Sequence, residues 1–305
     1  MRKNTVILKN SIGKKYNMIK LLVDSMCDLP KGTINHPSLD MVSLNVIIEG
    51  KVYRDKREID LDGMNKFMEK GIVPTTSQVN PGDFLEYFEE CAKNKVECFY
   101  LAFTSKLSGS YETARLVLKD VQEKYPDFKC KIVDSLQSGG GIALIAVELL
   151  KFIEKGKDLE YLVEATEKLI PHTHFYFSIE DLNWLYRGGR VSRGTAMVGG
   201  FLKIHPIVSV EEGELKIIGK VRGNKKARNT IIEKVSENIG EYLNQTVGIA
   251  YTGSMKPVEE YENALRLMGI EKIEPVPIGC VLAAHLGLQG SGIYFLDKPP
   301  EKILE

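Results

Sequence analysis

The first half of the chain alternates short apolar segments with longer amphipathic ones, and this alternation limits the folds open to it. Four strand-like segments stand out, at Ile19–Val23, Val42–Ile48, Cys98–Phe103 and Lys131–Val133. Segments with helical spacing begin at Leu61, Pro81, Ser110 and Gly139. Strands that alternate with helices usually form a parallel sheet with helices on its faces. The sequence therefore predicts an α/β fold for this half.

Near Pro171 the pattern changes to one of more closely spaced strands. Strand-like segments occur at His174–Phe177, Ile204–Val210, Leu215–Ile218, Val247–Ala250 and Gly292–Leu296, with a helical segment at Pro257–Met268. The four residues between the second and third of these strands, Glu211–Glu214, predict a β-hairpin. Since 305 residues exceed what one core usually serves, we expect two domains. They are an α/β domain at 18–170 and an α+β domain at 171–305, and an N-terminal extension at 1–17 precedes them.

Composition excludes several classes of partner and location. Lys plus Arg and Asp plus Glu number 41 each, so the chain has no net field that would concentrate nucleic acid or hold it at a membrane. The five cysteines form no Cys-x-x-Cys pair, which favours reduced thiols over structural zinc. The basic first 17 residues contain only the short apolar cluster Val6–Leu8, too short for a signal peptide. These features predict a cytoplasmic protein with no nucleic-acid partner and at most transient membrane contact.

A run of hydroxyls and glycine, Thr104–Ser110, lies between the strand-like segment at Cys98–Phe103 and a helix. The first N–H groups of a helix lack internal partners and carry positive partial charge, so an anion is stabilised there. The run therefore predicts an anion-binding loop. The alternative is that Ser108 or Ser110 only caps the helix, as most serines in this position do.

Polar residues also follow other strand-like segments, at Asp24-Ser25, Thr75–Ser77 and Asp134-Ser135. In an open parallel sheet, ligands bind beyond the carboxyl ends of the strands, so these loops are expected to converge on one crevice. For Thr75–Ser77 an ordinary hydrogen-bonded turn is the alternative interpretation.

His285 follows the small and apolar run Ile278–Ala284 and precedes Leu286-Gly287, which places an imidazole in tightly packed backbone. It is either a site residue or a hydrogen-bonded core histidine. His172-Thr173-His174 are neighbours expected on opposite faces of a strand, and the two histidines are expected to be poor partners in one metal site. Gly-x-Ser-x-Gly, Walker A and Gly-x-Gly-x-x-Gly motifs are absent, so the sequence supports no ATP or dinucleotide cofactor.

Two basic runs, Arg187–Arg193 and Lys220–Arg228, form positive patches on this neutral chain. Most such runs are solvated surface. The alternative is docking to an acidic partner, or to a phosphate that the partner carries, which the arginine fork binds well.

The order of these motifs resembles the DegV family from Met18 onward. The matching segments are Val23–Ser25, Thr75–Gln78, Ser105–Tyr111, Val133–Ser135, Leu182–Arg193 and Lys220–Arg222. The resemblance implies a two-domain DegV-like fold with a lipid site between the domains. Similar members are the fatty-acid-binding subunits of bacterial fatty acid kinases, which serve phospholipid metabolism. They hold a long-chain fatty acid and present its carboxylate to a separate ATP-dependent kinase subunit.

The resemblance also implies roles for individual residues. Thr76, Ser77, Ser108, Gly109 and His285 would hold the carboxylate, and Arg222 would engage the kinase. No cofactor or catalysis by the chain alone is expected. The sequence departs from the family after His285, where Thr or Val followed by Gly-Pro-Gly is typical and this chain continues with Leu286–Gly290.

Three other functions stay open at this point. The first is a hydrolase that uses Ser108 and His285, and the second is a protein that binds a small carbonyl compound through His285, by analogy with the dihydroxyacetone kinase fold. The third is a DNA-binding regulator that uses Lys220–Arg228, which the balanced charge disfavours.

Overall fold

The apolar segments of the first half form a parallel sheet, as predicted. The computed structural model describes residues 18–191 and 204–305. The strands of the parallel sheet are β1 (Ile19–Asp24), β2 (Leu39–Val42), β6 (Glu97–Ala102) and β7 (Cys130–Asp134), and the strands between β2 and β6 in chain order belong to a second sheet. The order across the sheet is β2-β1-β6-β7, and every pairing is parallel.

A small antiparallel sheet corrects two expectations. Its strands are β3 (Asn45–Ile48), β4 (Lys51–Arg54) and β5 (Thr75–Ser77), in the order β4-β3-β5. The segment Val42–Ile48 is thus not one strand, because the chain turns at Ser43-Leu44, where the Leu44 N–H donates to Ser25 Oγ over 3.1 Å. Thr75–Ser77 is not a loop, since Thr76 pairs with Val46 of β3.

The helices of the first half begin close to where the sequence predicts them. They are α1 (Leu61–Glu69), α2 (Pro81–Lys93), α3 (Ser110–Lys124), α4 (Gly140–Glu154) and α5 (Leu159–Leu169). Helix α2 shows the expected start: the Asn80 side chain accepts from the Gly82 N–H over 2.8 Å, Pro81 is the first helical residue and Asp83 follows in the first turn.

The second half is built on a six-stranded mixed sheet. Its strands are β8 (Thr173–Ser178), β9 (Ile204–Glu211), β10 (Glu214–Arg222), β11 (Thr246–Tyr251), β12 (Lys272–Pro277) and β13 (Ser291–Leu296), in the order β10-β9-β8-β13-β11-β12. The helices are α6 (Asn183–Arg187), α7 (Asn224–Asn238), α8 (Lys256–Leu267), α9 (Cys280–Leu286) and α10 (Pro300–Leu304). The α/β fold class with an α+β second half is confirmed.

The predicted hairpin is present as β9 and β10. Its turn places Glu212 and Gly213 at φ of 50° and 83°, the left-handed values that two-residue hairpin turns favour. Strand β12 was not predicted from the sequence, because Pro275 and Pro277 disfavour a strand. Because β12 lies at the edge of the sheet, its prolines interrupt no ladder to a further strand.

Helix α4 packs between the parallel sheet and the six-stranded sheet. Nine of its 15 residues are buried, and it contacts β1 on one side and β8 and β13 on the other. A helix that is apolar nearly all round belongs in a protein interior. The core around α4 therefore contains residues from both halves of the chain, including Leu21, Ile142 and Phe175.

The Tyr294 ring fits between two glycines, one in α4 and one in β11. A Cβ at Gly140 or at Gly248 would overlap this ring, and Tyr294 is only 2% exposed.

We expect Gly140→Ala to lower the free energy of unfolding by about 1–3 kcal/mol, because the ring is too enclosed to move aside. Urea unfolding measures the change. Gly32→Ala is the control, since nothing lies within 4 Å of a Cβ there; equal stability of the two variants would contradict this packing.

Candidate functional site

A cavity of about 310 Å³ lies between the parallel sheet's loops and the six-stranded sheet. We call it the central cavity. Apolar side chains from both halves form most of its wall: Met26, Leu44, Phe103, Leu107, Phe175, Phe177, Leu185, Leu215, Ala250, Ile278, Val281, Leu282 and Leu286. Cavities of a few hundred Å³ with apolar walls and a few polar groups typically bind small ligands.

The polar part of the wall contains the residues that the sequence singled out. Thr76, Ser77, Ser108, Gly109 and His285 all line the central cavity, although they come from β5, the loop before α3 and the last turn of α9. The closest contact among them joins Thr76 Oγ1 to His285 Nε2 over 2.9 Å. The Ser77 hydroxyl already accepts from Asn45 Nδ2 over 3.1 Å.

The two serines before α3 have different roles. The N-cap position of α3 is occupied by Gly109, and no side chain caps the helix, so neither serine is the conventional cap. Ser110 is fully buried and its Oγ accepts from the Val79 N–H over 3.2 Å, which joins α3 to the chain after β5. Ser108 Oγ lies 3.1 Å from Ser110 Oγ and accepts from the Ser110 N–H over 3.3 Å, yet its side chain still lines the cavity.

Two of the four polar segments, Asp24-Ser25 and Asp134-Ser135, do not line the cavity themselves, which corrects that part of the predicted convergence, although Met26 and Ser138 of the same two loops do line it. The Asp24 carboxylate is 1% exposed and accepts from the Met26 and Phe103 N–H groups and the Tyr100 hydroxyl. Asp134 accepts from the backbone of Ser105 and Leu136. These carboxylates hold the loop backbones in place, including the start of the hydroxyl loop.

His285 is only 8% exposed and packs against the backbone at Gly188. Its Nδ1 is buried without a hydrogen-bond partner among the described residues. Because a buried N–H without an acceptor is rare, we assign the proton to Nε2, which donates to Thr76 Oγ1. The Thr76 hydroxyl hydrogen is then available to a ligand. Burial, and then the charge of Arg190, lowers the pKa of His285 from 6.5 to about 4, so the ring is neutral near pH 7.

The loop after His285 keeps this ring in place without the family's proline. Gly287 ends α9 with φ of 79° and packs against the Trp184 indole, where a side chain would not fit. Farther along, the Gly290 N–H donates to Thr252 Oγ1 over 2.8 Å. The altered sequence therefore forms a loop fixed by other contacts.

A buried ionic cluster supports the start of α9. Asp28 Oδ1 accepts from Lys56 Nζ over 2.7 Å and from the Gly279 N–H over 2.9 Å. Asp55 Oδ1 accepts from the Cys280 N–H over 2.8 Å. Burial opposes the charge of Lys56, but the two carboxylates outweigh burial and raise its pKa. Since helix N-termini favour negative charge, the two carboxylates anchor the helix that carries His285.

Arg190 is a cavity residue that was placed in a basic run and in a family-like segment but was not predicted as a site residue. Its Nε donates to the Leu107 carbonyl over 3.2 Å and its Nη1 to the Gly188 carbonyl, so the side chain lies across the hydroxyl loop. Burial lowers the pKa of the guanidinium. The only feature of the sequence that marks Arg190 is the Gly-Gly-Arg segment in which it lies. This segment gives no indication that the chain after α6 packs against Leu107.

Arg222 lies apart from this cluster. It is the last residue of β10, is exposed, and is not part of the cavity wall. Ser192 and Arg193 of the same family motif as Arg190, and the extension at 1–17, lie outside the described residues. The expectation for His172 and His174 was wrong, because residues two apart in extended chain lie on the same side. Each binds one oxygen of Asp297, over 2.8 and 3.0 Å.

A mostly apolar cavity with hydroxyls and one guanidinium in its wall is typical of a binding site for a small amphipathic molecule. The sequence from residue 18 to 298 matches the family described as "uncharacterised protein, DegV family", and the chain belongs to that family. A DegV domain-containing protein from Caldanaerobacter subterraneus subsp. tengcongensis is 31% identical over 92% of this chain and 99% of its own length. One from Streptococcus pyogenes is 34% identical over 91% of this chain and 98% of its own.

Solved structures of related proteins have the same fold. A fatty-acid-binding DegV family protein from Thermus thermophilus has a TM-score of 0.82 at 27% identity, over 91% of this chain and 98% of its own. The Streptococcus pneumoniae fatty acid kinase B3 protein, loaded with linoleic acid, has a TM-score of 0.81 at 25% identity, over 92% and 100%. Within residues 18–191 and 204–305, no helix has the length and apolar character needed to cross a membrane.

The lowered pKa of His285 makes stability depend on pH. The unfolded histidine binds a proton near pH 6.5 and the folded one near pH 4, so stability falls as pH drops from 6.5 towards 4. In ligand-free protein we expect His285 to account for about 2 kcal/mol of lost stability between pH 7 and pH 5. Urea unfolding at both pH values should show a smaller loss for His285→Gln than for the wild type. An equal loss in both proteins would contradict a neutral, buried His285.

Proposed function

We propose that this chain binds a long-chain fatty acid in the central cavity and presents its carboxylate to a separate ATP-dependent kinase subunit for acyl phosphate formation. One observation carries the proposal: a mostly apolar cavity is lined by the neutral groups of Thr76, Ser108 and His285, with Thr76 and His285 in hydrogen-bond contact. An acyl chain matches the apolar wall, because each methylene removed from water contributes about 0.8 kcal/mol. A carboxylate matches the donors, because a buried anion needs hydrogen bonds in place of water.

The roles of the polar residues follow from their present partners. Thr76 offers its hydroxyl hydrogen once Nε2 of His285 donates to its oxygen. Ser108 offers a second hydroxyl, and Gly109 contributes backbone to the cavity wall. The Ser77 hydroxyl oxygen accepts from Asn45 Nδ2, which leaves its hydrogen for the ligand in the same way as for Thr76. Arg190 supplies the positive charge that neutral donors lack.

The same geometry disfavours hydrolysis by the chain alone. A serine nucleophile needs a base within hydrogen-bond reach, and Ser108 Oγ has Ser110 as its side-chain partner while His285 is bonded to Thr76. A ring with a pKa of about 4 is also a weak base at neutral pH. A small carbonyl compound bound at His285 would leave most of the apolar wall without contact to the ligand. We therefore assign a binding role rather than a catalytic one.

The kinase partner is proposed from the family and from the position of Arg222. An exposed arginine at the end of a strand, apart from the cavity, is free to bind an acidic partner. The S. pneumoniae relative named as part of a fatty acid kinase supports this assignment. On this view, the protein binds lipid at one surface and kinase at another.

Native mass spectrometry of protein purified from a bacterial host tests the lipid. We expect a bound long-chain fatty acid on the wild type, and about tenfold weaker fatty-acid binding by Thr76→Val, because a hydroxyl donor to an anion is lost. Thr75→Val is the matched control: it is the neighbouring residue of β5, is exposed and does not line the cavity. Protein that neither carries nor takes up fatty acid would rule out the proposal.

Arg222→Ala tests the docking role separately. We expect unchanged fatty-acid affinity and at least a several-fold loss of acyl phosphate formation when the kinase subunit and ATP are added, since a charge at a partner surface acts mainly on association. Lys119→Ala removes an exposed charge from α3 and serves as control. If Arg222→Ala and Thr76→Val lose lipid binding alike, Arg222 belongs to the lipid site instead.

A further inference from the structure

A second, smaller crevice lies on the other face of the six-stranded sheet. Its volume is about 120 Å³, and its polar lining includes Ser178, His205, Asn224, Arg228, Ser254 and Lys256. Side chains alternate along β8, so Phe177 faces the central cavity while Ser178 faces the layer of α7 and α8. We call this space the polar crevice.

The first turns of two long helices line the polar crevice. Helix α7, of 15 residues, begins at Asn224 after Gly223 and has no side-chain cap. The N–H groups of Asn224, Lys225 and Lys226 have no acceptor in the part of the chain that the structure describes. Helix α8, of 12 residues, begins nearby at Lys256. Unpaired N–H groups and two helix dipoles give this space a positive potential.

A buried hydroxyl without a partner is the independent sign of a ligand. Ser178 is 6% exposed, and its Oγ has no hydrogen-bond partner among residues 18–191 and 204–305. A buried polar group normally has a partner, and leaving one unpaired costs free energy. Across the sheet, Ser291 pairs with Ser178 and places a second hydroxyl on the same side, 3.4 Å from the Tyr261 hydroxyl.

The charged groups of the crevice complete an anion site. Lys256 is exposed and forms no ion pair within the described residues. Arg228 binds Glu260 through Nε and Nη2, with Nη2 3.0 Å from Oε1, and its Nη1 has no acceptor in the same ranges. Glu260 lies behind Arg228 and does not line the crevice.

We propose that the polar crevice binds a phosphate group through the Ser178 hydroxyl, the first N–H groups of α7 and the Lys256 ammonium. The volume fits this group and not a whole nucleotide, since sites for larger ligands measure about 300 Å³ or more. The phosphate is either inorganic phosphate or the end of a small phosphate monoester. This site is distinct from the fatty-acid site and does not depend on it, although Gly290 and Ser291 line both spaces.

Amide NMR and calorimetry with inorganic phosphate test the site at constant ionic strength. We expect saturable binding of one phosphate, with the largest shifts at the amides of 224–227, and about tenfold weaker binding by Ser178→Ala and by Lys256→Gln. Lys119→Gln should bind like the wild type. Absence of saturable binding, or equal affinity in all four proteins, would overturn the proposal.

Methyl phosphate distinguishes the two sources of the group. Binding comparable to that of inorganic phosphate assigns the crevice to a phosphate carried on a larger molecule, and binding of inorganic phosphate alone assigns it to the free ion. Fatty-acid content measured on the same samples separates this result from the proposed lipid function. Phosphate binding by protein that carries no lipid would still support the crevice.

Discussion

The position of the cavity histidine, His285, depends on two buried aspartates and the lysine that pairs with them. Lys56 holds Asp28, and Asp28 and Asp55 in turn accept the first N–H groups of α9, whose last turn carries His285. Charges in an interior are costly unless each has a partner, and removing one partner of such a pair generally costs about 3–5 kcal/mol. Lys56 also has a φ of 58°, a left-handed conformation that the surrounding contacts maintain. The cluster thus joins a loop of the first half to a helix of the second.

This arrangement explains why the donors of the central cavity are neutral. The charged side chains of Lys56, Asp28 and Asp55 lie at the N-terminus of α9, where their charges partly cancel. The cavity wall is instead lined mostly by hydroxyls, backbone and an uncharged imidazole. Such donors stabilise an anion without holding it as an inseparable ion pair. Arg190 is the cation that lines the cavity, and its contacts with Leu107 and Gly188 fix it at the hydroxyl loop.

Local signals in the sequence were enough to predict the parallel sheet, the helix starts and the β9–β10 hairpin. The predictions failed where distant contacts decide. The apolar run Val42–Ile48 hides a turn that Ser25 stabilises from another strand. The prolines of β12 are tolerated only because of its place at an edge. Arg190 enters the cavity because its segment packs on Leu107, 83 residues away in the chain. The convergence of Thr76 and Ser108 on one cavity was predicted from their positions after strand-like segments, whereas His285 joined them only through the family resemblance.

The enclosed ring of Tyr294 has an evolutionary consequence. Gly140 and Gly248 touch opposite parts of one side chain, so neither position can accept a larger residue while the tyrosine remains. The two glycines come from the helix shared by both sheets and from the six-stranded sheet itself. Substitutions at positions 140, 248 and 294 are therefore coupled: the tyrosine must be replaced by a smaller residue before either glycine can be replaced by a larger one.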